Sequence, residues 1–181
     1  MSTGLSCIVQ SFNSSIVDTL RCSKLLFLVL AASVLIGTEG WLNDMDGYLS
    51  FTCANQAHYV SRISSMHSNH AEDRQWDFEC QPFPSVEGTP TCDWSDYANQ
   101  FDYWLDFVCQ TNSYLVGASS YHNNYYEDRR WKFFCCSQPE VSYTDCEMTS
   151  YVNAYDGYMD YAVPSDYVIT GVQGIHSNYY E

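Results

Sequence analysis

Apolar and polar residues alternate with a period of two in several short stretches of the chain. In residues 43–53 (NDMDGYLSFTC) the odd positions from Leu49 onward are apolar. Residues 73–80 (DRQWDFEC) place Trp76 and Phe78 on one strand face, and a solvated face carries Asp73, Gln75, Asp77 and Glu79. This period is typical of β-strands with one buried face. The pattern predicts an all-β fold.

Both blocks recur along the chain in the same order. The first block starts at residues 43, 99 and 153, and the second starts at His67 (HSNHAEDRQWDFEC), His122 (HNNYYEDRRWKFFC) and His176 (HSNYYE). A further strand is expected between the blocks, at 59–65 and 114–120. One short β unit cannot bury its own apolar face, so we predict that similar units pack around a common core. The predicted units are unit 1 (41–98), unit 2 (99–152) and an incomplete unit 3 (153–181).

The N-terminal part of the chain has the pattern of a secretory leader. Residues 25–37 (LLFLVLAASVLIG) are uninterruptedly apolar and follow Arg21 and Lys24. The run is shorter than the roughly 20 residues that a membrane-spanning helix needs. We therefore predict a leader and signal peptide over 1–40, and a secreted single domain over 41–181 that is not inserted in the membrane after cleavage.

The cysteines predict a disulfide-stabilised fold in an oxidising compartment. Cys53 and Cys80 bracket one copy of the repeat, and Cys109 and Cys135 bracket the next at nearly the same separation, so these two couples are expected to pair. The other predicted disulfide cysteines are Cys92, Cys136 and Cys146, whose partners stay open. A third Asp-Arg-x-aromatic strand is expected to follow Glu181 and to supply a partner for at least one of these three.

Charge and motifs exclude several function classes. The chain has 7 basic and 22 acidic residues and a net charge of −15, which repels the phosphate backbone of nucleic acids. It contains no HExxH, GxSxG or glycine-rich phosphate loop, and the disulfide framework leaves no cysteine as a lone nucleophile. We expect no catalytic residues, no cofactor and no nucleic-acid partner.

The repeated Asp-Arg-x-Trp-x-Phe-x-Cys motif, at 73–80 and 128–135 of a tyrosine-rich acidic chain, resembles the dermatopontin family, which includes shell-matrix dermatopontins and haemocyte aggregation factors. The resemblance covers nearly all of 41–181. It implies a non-enzymatic extracellular-matrix protein that promotes cell adhesion, aggregation or matrix assembly, calcified matrix included. Its partners would be matrix components or cell-surface receptors. The alternative is a soluble carbohydrate-binding lectin of innate defence.

The motif residues have mainly a structural interpretation. We expect the guanidinium of Arg74 to lie over an indole and to pair with its own neighbours Asp73 or Glu72, with the same arrangement in unit 2. A competing interpretation makes Arg74, Arg129, Arg130 and Lys132 a cluster that binds sulfated polysaccharide. The predicted structural motif residues are Asp73, Arg74, Trp76, Phe78, Asp128, Arg129, Trp131 and Phe133.

A second candidate set consists of the histidines and asparagines that begin the second block. Three equivalent histidines suit a shared sugar-contacting pocket, a metal site, or a turn in which side chains bond the backbone. We predict no metal and treat the set as possible ligand-binding residues: His67, Asn69, His122, Asn124, His176 and Asn178. Tyrosines beside acids are candidates for sulfation: Tyr125, Tyr126, Tyr155, Tyr158, Tyr161, Tyr167, Tyr179 and Tyr180.

Overall fold

The fold, given by a computed structural model, is described for residues 5–12, 40–83, 88–139 and 141–178. These residues form β-strands and no helix, as the period-two pattern predicts. None of the described part of the chain could therefore cross a membrane as a helix. The strands are β1 Leu5–Phe12, β2 Leu49–Thr52, β3 His58–Ser68, β4 Asp73–Pro82, β5 Thr91–Trp94, β6 Leu105–Val108, β7 Ser113–Asn123, β8 Asp128–Ser137, β9 Tyr143–Tyr151, β10 Met159–Ala162 and β11 Tyr167–Gly174.

The short strand of each unit pairs with the long strand of another unit. β2 of unit 1 pairs with β7 of unit 2, β6 of unit 2 pairs with β11 of unit 3, and β10 of unit 3 pairs with β3 of unit 1, all antiparallel. The sheets have the orders β10-β3-β4, β2-β7-β8-β5 and β6-β11-β1-β9. This cyclic exchange agrees with three units around a shared core.

Each of the long strands β3, β7 and β11 contains a β-bulge, and the short strand that pairs with it from another unit ends at that point. The register of β3 shifts at Ser61, that of β7 at Val116 and that of β11 at Thr170. The carbonyl of each bulged residue accepts a hydrogen bond from the residue after the partner strand: from Val163, Cys53 and Cys109, at 2.8–2.9 Å. A bulge leaves one residue out of the ladder and frees its backbone groups. Here the freed carbonyl fixes the end of a strand from another unit.

The core lies between the three sheets. The seventh residue of each first block, Leu49, Leu105 or Met159, is buried, and the long strands contribute Ile63, Leu115 and Val172. Trp76 and Trp131 meet edge to face, with ring centroids 4.8 Å apart. Since aromatic pairs prefer such offset contacts, the two motif strands are joined through their tryptophans.

Disulfides join several strands and strand ends. Cys53 pairs with Cys80 and Cys109 with Cys135, as the equal spacing predicts. Cys92, whose partner the sequence leaves open, is bonded to Cys136 across β5 and β8. Cys146 is disulfide-bonded as well.

The strand β1 lies within residues 1–40, which the sequence assigns to a leader. It runs parallel to β11 on one side and to β9 on the other. In the order of the sheets, β1 lies next to β11 in the same way that β4 lies next to β3 and β8 lies next to β7. The apolar run 25–37 lies outside the described residues, and signal cleavage stays a prediction.

Candidate functional site

The three equivalent histidines surround one cavity at the centre of the molecule. His67 and His122 lie near the ends of β3 and β7, and His176 lies two residues beyond β11. All three line a cavity of about 190 Å³, which the indoles of Trp76 and Trp131 also line. The cyclic strand pairing brings these positions together, because it places equivalent ends of the three long strands at one end of the core.

His122 joins unit 2 to unit 1 through carboxylates. Its fully buried side chain places Nδ1 3.2 Å from Asp73 Oδ1. Its Nε2 lies 3.2 Å from Glu127 Oε2 and 3.8 Å from Asp46 Oδ1. Burial lowers the pKa of an imidazole, but the hydrogen bond and charge of Asp73, together with the hydrogen bond to Glu127, outweigh burial and raise the pKa of His122. The junction therefore favours an imidazolium.

Arg129 completes the same junction. Its Nε and Nη2 donate to Asp73 Oδ1 and Oδ2, both at 2.6 Å, and Nη1 and Nη2 donate to Ser120 Oγ and to the Gly47 carbonyl. Burial acts to raise the pKa of Asp73, but hydrogen bonds from His122 and Arg129 and the guanidinium charge hold the pKa well below its usual range. A bidentate pair in a dry site fixes both distance and orientation.

The other two junctions repeat this arrangement in part. His67 Nε2 lies 3.5 Å from Asp156 Oδ1 and 3.9 Å from Glu72 Oε2. His176 lies 3.5 Å from Asp102 and 3.7 Å from Asp128. In each case an aspartate of the first block of one unit meets a histidine of the next. The junctions are thus the same contact made three times.

The expected arrangement around the motif arginines is wrong in two respects. Asp73 is buried rather than solvated, because it is the partner of Arg129 and His122 in the next unit. Arg74 donates to Ser65 Oγ and to the Gly157 carbonyl instead of pairing with its own acidic neighbours. Sequence adjacency suggested the pairing, but Asp73 is taken by side chains of unit 2, and Arg74 reaches a backbone carbonyl of unit 3.

The cation–π contacts in the described residues involve other basic side chains. The guanidinium of Arg130 lies 4.3 Å from the Tyr97 ring centroid, and the ammonium of Lys132 lies 4.7 Å from it. Arg129 is buried with Asp73. The four basic residues considered for polysaccharide binding are therefore divided between the centre of the molecule and its outer surface.

The asparagines of the candidate set lie at the exposed rim. Asn124 Nδ2 donates to Asp46 Oδ2 at 3.2 Å, and Asn178 Nδ2 donates to Asp102 Oδ1 at 3.4 Å. Asn69 is exposed. The structure thus brings the histidines together in the cavity and leaves the asparagines outside it, where two of them hold the acids of the neighbouring unit.

Sequence reasoning missed the aspartates that face the histidines. Asp46, Asp102 and Asp156 have φ angles of 59°, 62° and 53°, a left-handed conformation that aspartate tolerates better than most residues. Backbone amides of Asp46 and Asp102 donate to the motif acids Asp73 and Asp128. The signal was present, because aspartate is the fourth residue of the first block in every copy.

The first asparagine of the block was also missed. Asn43 Nδ2 donates to the Arg74 carbonyl, and its Oδ1 accepts from the Trp76 amide, both at 2.9 Å. Asn99 makes the same two bonds with Arg129 and Trp131. These side chains satisfy backbone groups on the motif strands, as a neighbouring strand would.

Within the described part of the chain, one group of side chains has the geometry of metal ligands by distance alone. Asp46, Asp73 and His122 each place one ligand atom within 4.8 Å of the others. Both Asp73 oxygens are already held by Arg129 at 2.6 Å. A cation there would have to displace a buried guanidinium, so this group is a poor metal site.

Comparison with known proteins agrees with the repeated motif. The family model for dermatopontin matches residues 43–181. The chain belongs to the dermatopontin family. The hemagglutinin/amebocyte aggregation factor of Limulus polyphemus is 42% identical over 156 residues, which are 85% of this chain and 88% of that protein. No solved structure gives a significant match.

Two further relatives give the extent of the likeness. Dermatopontin of Biomphalaria glabrata is 37% identical over 67% of this chain and 80% of its own length. Millepora cytotoxin-1 of Millepora dichotoma is 38% identical over 140 residues, which are 77% of this chain and 61% of that protein. Membership of the dermatopontin family supports an extracellular role in adhesion or aggregation.

Proposed function

We propose that this protein is a secreted, non-enzymatic component of the extracellular matrix that holds cells or matrix components together through several equivalent contact points. One observation carries the proposal. Tyr48, Trp104 and Tyr158 occupy the same position of the first block in the three units, and 64%, 71% and 59% of their surfaces are exposed. Tyrosine and tryptophan side chains are enriched at the contact sites of proteins.

Each of these aromatic residues belongs to a different sheet. Each directly precedes a buried core residue at the start of β2, β6 or β10, and therefore points to the outer face. Because those strands pair with β7, β11 and β3, one aromatic side chain stands on each sheet. Two weak contacts on one molecule can bridge two partners, and a third adds avidity.

The names of two relatives support the same activity. The Limulus relative is named a hemagglutinin and aggregation factor, and the Biomphalaria relative is a dermatopontin. The net charge of −15 favours partners with basic surfaces and acts against polyanions. We therefore place basic regions of matrix proteins or cell-surface receptors ahead of sulfated polysaccharide as partners.

A cell-aggregation assay with the secreted protein tests the proposal. Single Tyr48→Ser, Trp104→Ser and Tyr158→Ser variants are each expected to weaken aggregation, and the triple variant should abolish it, since bridging needs at least two contacts. The matched control is Tyr125→Ser, because Tyr125 is 85% exposed but lies outside the first block. Full aggregation by a correctly folded triple variant would refute the proposal.

The central cavity favours a second candidate function, carbohydrate binding. It combines indole rings with histidine, aspartate and arginine side chains, and these groups suit the stacking and hydrogen bonding of a sugar ring. Competition separates the two functions. Aggregation that a simple sugar abolishes would favour a lectin, whereas aggregation unaffected by sugars would favour the outer aromatic contacts.

A further inference from the structure

The junction between units 1 and 3 contains two buried polar atoms that lack hydrogen bonds among the described residues. They are His67 Nε2 and Glu72 Oε2, which lie 3.9 Å apart. The side chain of His67 is only 10% exposed. Asp156 Oδ1 lies 3.5 Å from the same nitrogen. Buried polar atoms nearly always have a partner, and an unsatisfied pair of this kind often marks a bound water or ion.

The equivalent atoms around His122 are satisfied within the protein. Its Nε2 lies 3.2 Å from Glu127 Oε2 and is hydrogen-bonded to it. At His67 the corresponding oxygen, Oε2 of Glu72, lies 3.9 Å from Nε2, which is too far for a hydrogen bond. Among the described residues, Nε2 of His67 therefore lacks the hydrogen bond that Nε2 of His122 has.

We propose that His67, Glu72 and Asp156 bind a divalent transition-metal ion of the zinc class. One imidazole nitrogen and two carboxylates are a ligand set that zinc accepts, with water in the remaining position. Imidazole distinguishes this site from the oxygen-only sites that calcium and magnesium prefer. The ion would satisfy the buried nitrogen and the buried carboxylate oxygen together.

The two nitrogen–oxygen distances are within about 0.5 Å of those that such an ion needs. Zinc bonds of 2.0–2.2 Å in tetrahedral geometry place ligand atoms about 3.4 Å apart. The two measured nitrogen–oxygen distances are 3.5 and 3.9 Å. Glu72 and Asp156 are 24% and 32% exposed, so their carboxylates can rotate toward the ion while the buried imidazole stays fixed. All three residues line the central cavity, which gives the ion a route from solvent.

The ion would join units 1 and 3, whereas units 1 and 2 are joined by an ion pair. Between units 1 and 2 the buried Asp73–Arg129 pair joins the two motif strands. At the His67 junction, Arg74 is bonded to Ser65 and Gly157 and to no carboxylate among the described residues. A metal held by Asp156 of unit 3 and by two residues of unit 1 would add a cross-link between these two units.

Calorimetric titration of the full chain with Zn²⁺ tests the proposal. The protein is first stripped with EDTA, and a large excess of Ca²⁺ is kept in the buffer to occupy the acidic surface. We expect one Zn²⁺ per chain and a higher melting temperature when it is bound. His67→Gln, Glu72→Gln and Asp156→Asn should each weaken binding by at least about tenfold, since even outer-shell changes cost that much.

Two matched variants complete the experiment. Glu127→Gln changes the equivalent acid of the His122 junction, and His70→Gln changes an exposed histidine close to the site. Both should leave Zn²⁺ affinity unchanged. Absence of saturable binding would overturn the proposal. The proposal would also be overturned if Glu127→Gln lost Zn²⁺ affinity while Glu72→Gln retained it, because the ion would then lie at the His122 junction.

Discussion

Asp73 and Asp128 hold the same place in the repeated motif but have opposite electrostatic environments. Asp73 receives two hydrogen bonds from Arg129, and its pKa is held low despite burial. Asp128 is also removed from water, and there burial dominates over the charge of His176 and raises its pKa. The motif letters alone do not reveal this difference, because it depends on which cation the neighbouring unit supplies.

Neutralising the two aspartates should therefore have unequal effects. Asp73→Asn leaves Arg129 buried without a counter-charge, and a broken buried pair typically costs about 3–5 kcal/mol. Asp128→Asn removes a charge that burial already disfavours, so we expect a loss below about 1 kcal/mol. Urea unfolding of both variants at neutral pH measures the difference. Equal losses would show that the Asp73–Arg129 pair is not the dominant contact.

The raised pKa of His122 predicts a pH-dependent contribution to stability. A histidine whose pKa is higher in the folded state stabilises the protein fully below its unfolded pKa of about 6.5, and the stabilisation disappears as pH rises through the folded pKa. The stability difference between the wild type and His122→Gln should therefore be larger at about pH 5.5 than at about pH 9.

This comparison removes the opposing effect of His67, whose pKa burial lowers and which is present in both proteins. Denaturant unfolding of the two proteins at several pH values gives the difference directly. A difference that grows with pH would mean that His122 is neutral in the folded state.

At acidic pH, stability from Asp73 should be lost below about pH 4.

Alternation along β8 separates neighbouring side chains between core and surface. Trp131 is buried and contacts Trp76, whereas Lys132 lies over Tyr97 on the outer face. We expect Trp131→Ala to lower the free energy of unfolding by about 3–5 kcal/mol and Lys132→Ala by about 0.5. Thermal melts of the two variants measure this, and similar melting temperatures would contradict the assignment of strand faces.

The strands themselves could be predicted because their information is local. Leu49, Leu105 and Met159 begin apolar alternations that are visible without any partner, and the Cys53–Cys80 and Cys109–Cys135 pairs follow from equal spacing. The partners of the strands could not be predicted. Asp73 and Arg129 are 56 positions apart, and no local pattern shows that one unit's motif acid meets the next unit's arginine. The aspartates of the site recur in every first block, but nothing local shows that they meet the histidines of another unit.

At the scale of the whole molecule, the cyclic exchange of strands makes the units mutually dependent. Within unit 1, the described long-strand pairing is the hairpin of β3 and β4. Its short strand β2 pairs with β7, and the free side of β3 pairs with β10. A two-stranded hairpin is at best marginally stable in water, and its apolar face needs the other sheets.

An isolated unit should therefore fail to fold even with its disulfide formed. We expect a fragment of residues 41–98 with the Cys53–Cys80 bond to show poor amide dispersion by NMR and no cooperative thermal transition, whereas the full chain shows both. The disulfide restricts the unfolded fragment but cannot replace the contacts of Trp76 with Trp131 or of β3 with β10. Cooperative unfolding of the fragment would mean that the core of each unit is self-sufficient, and the exchanged strands would then serve only to join folded units.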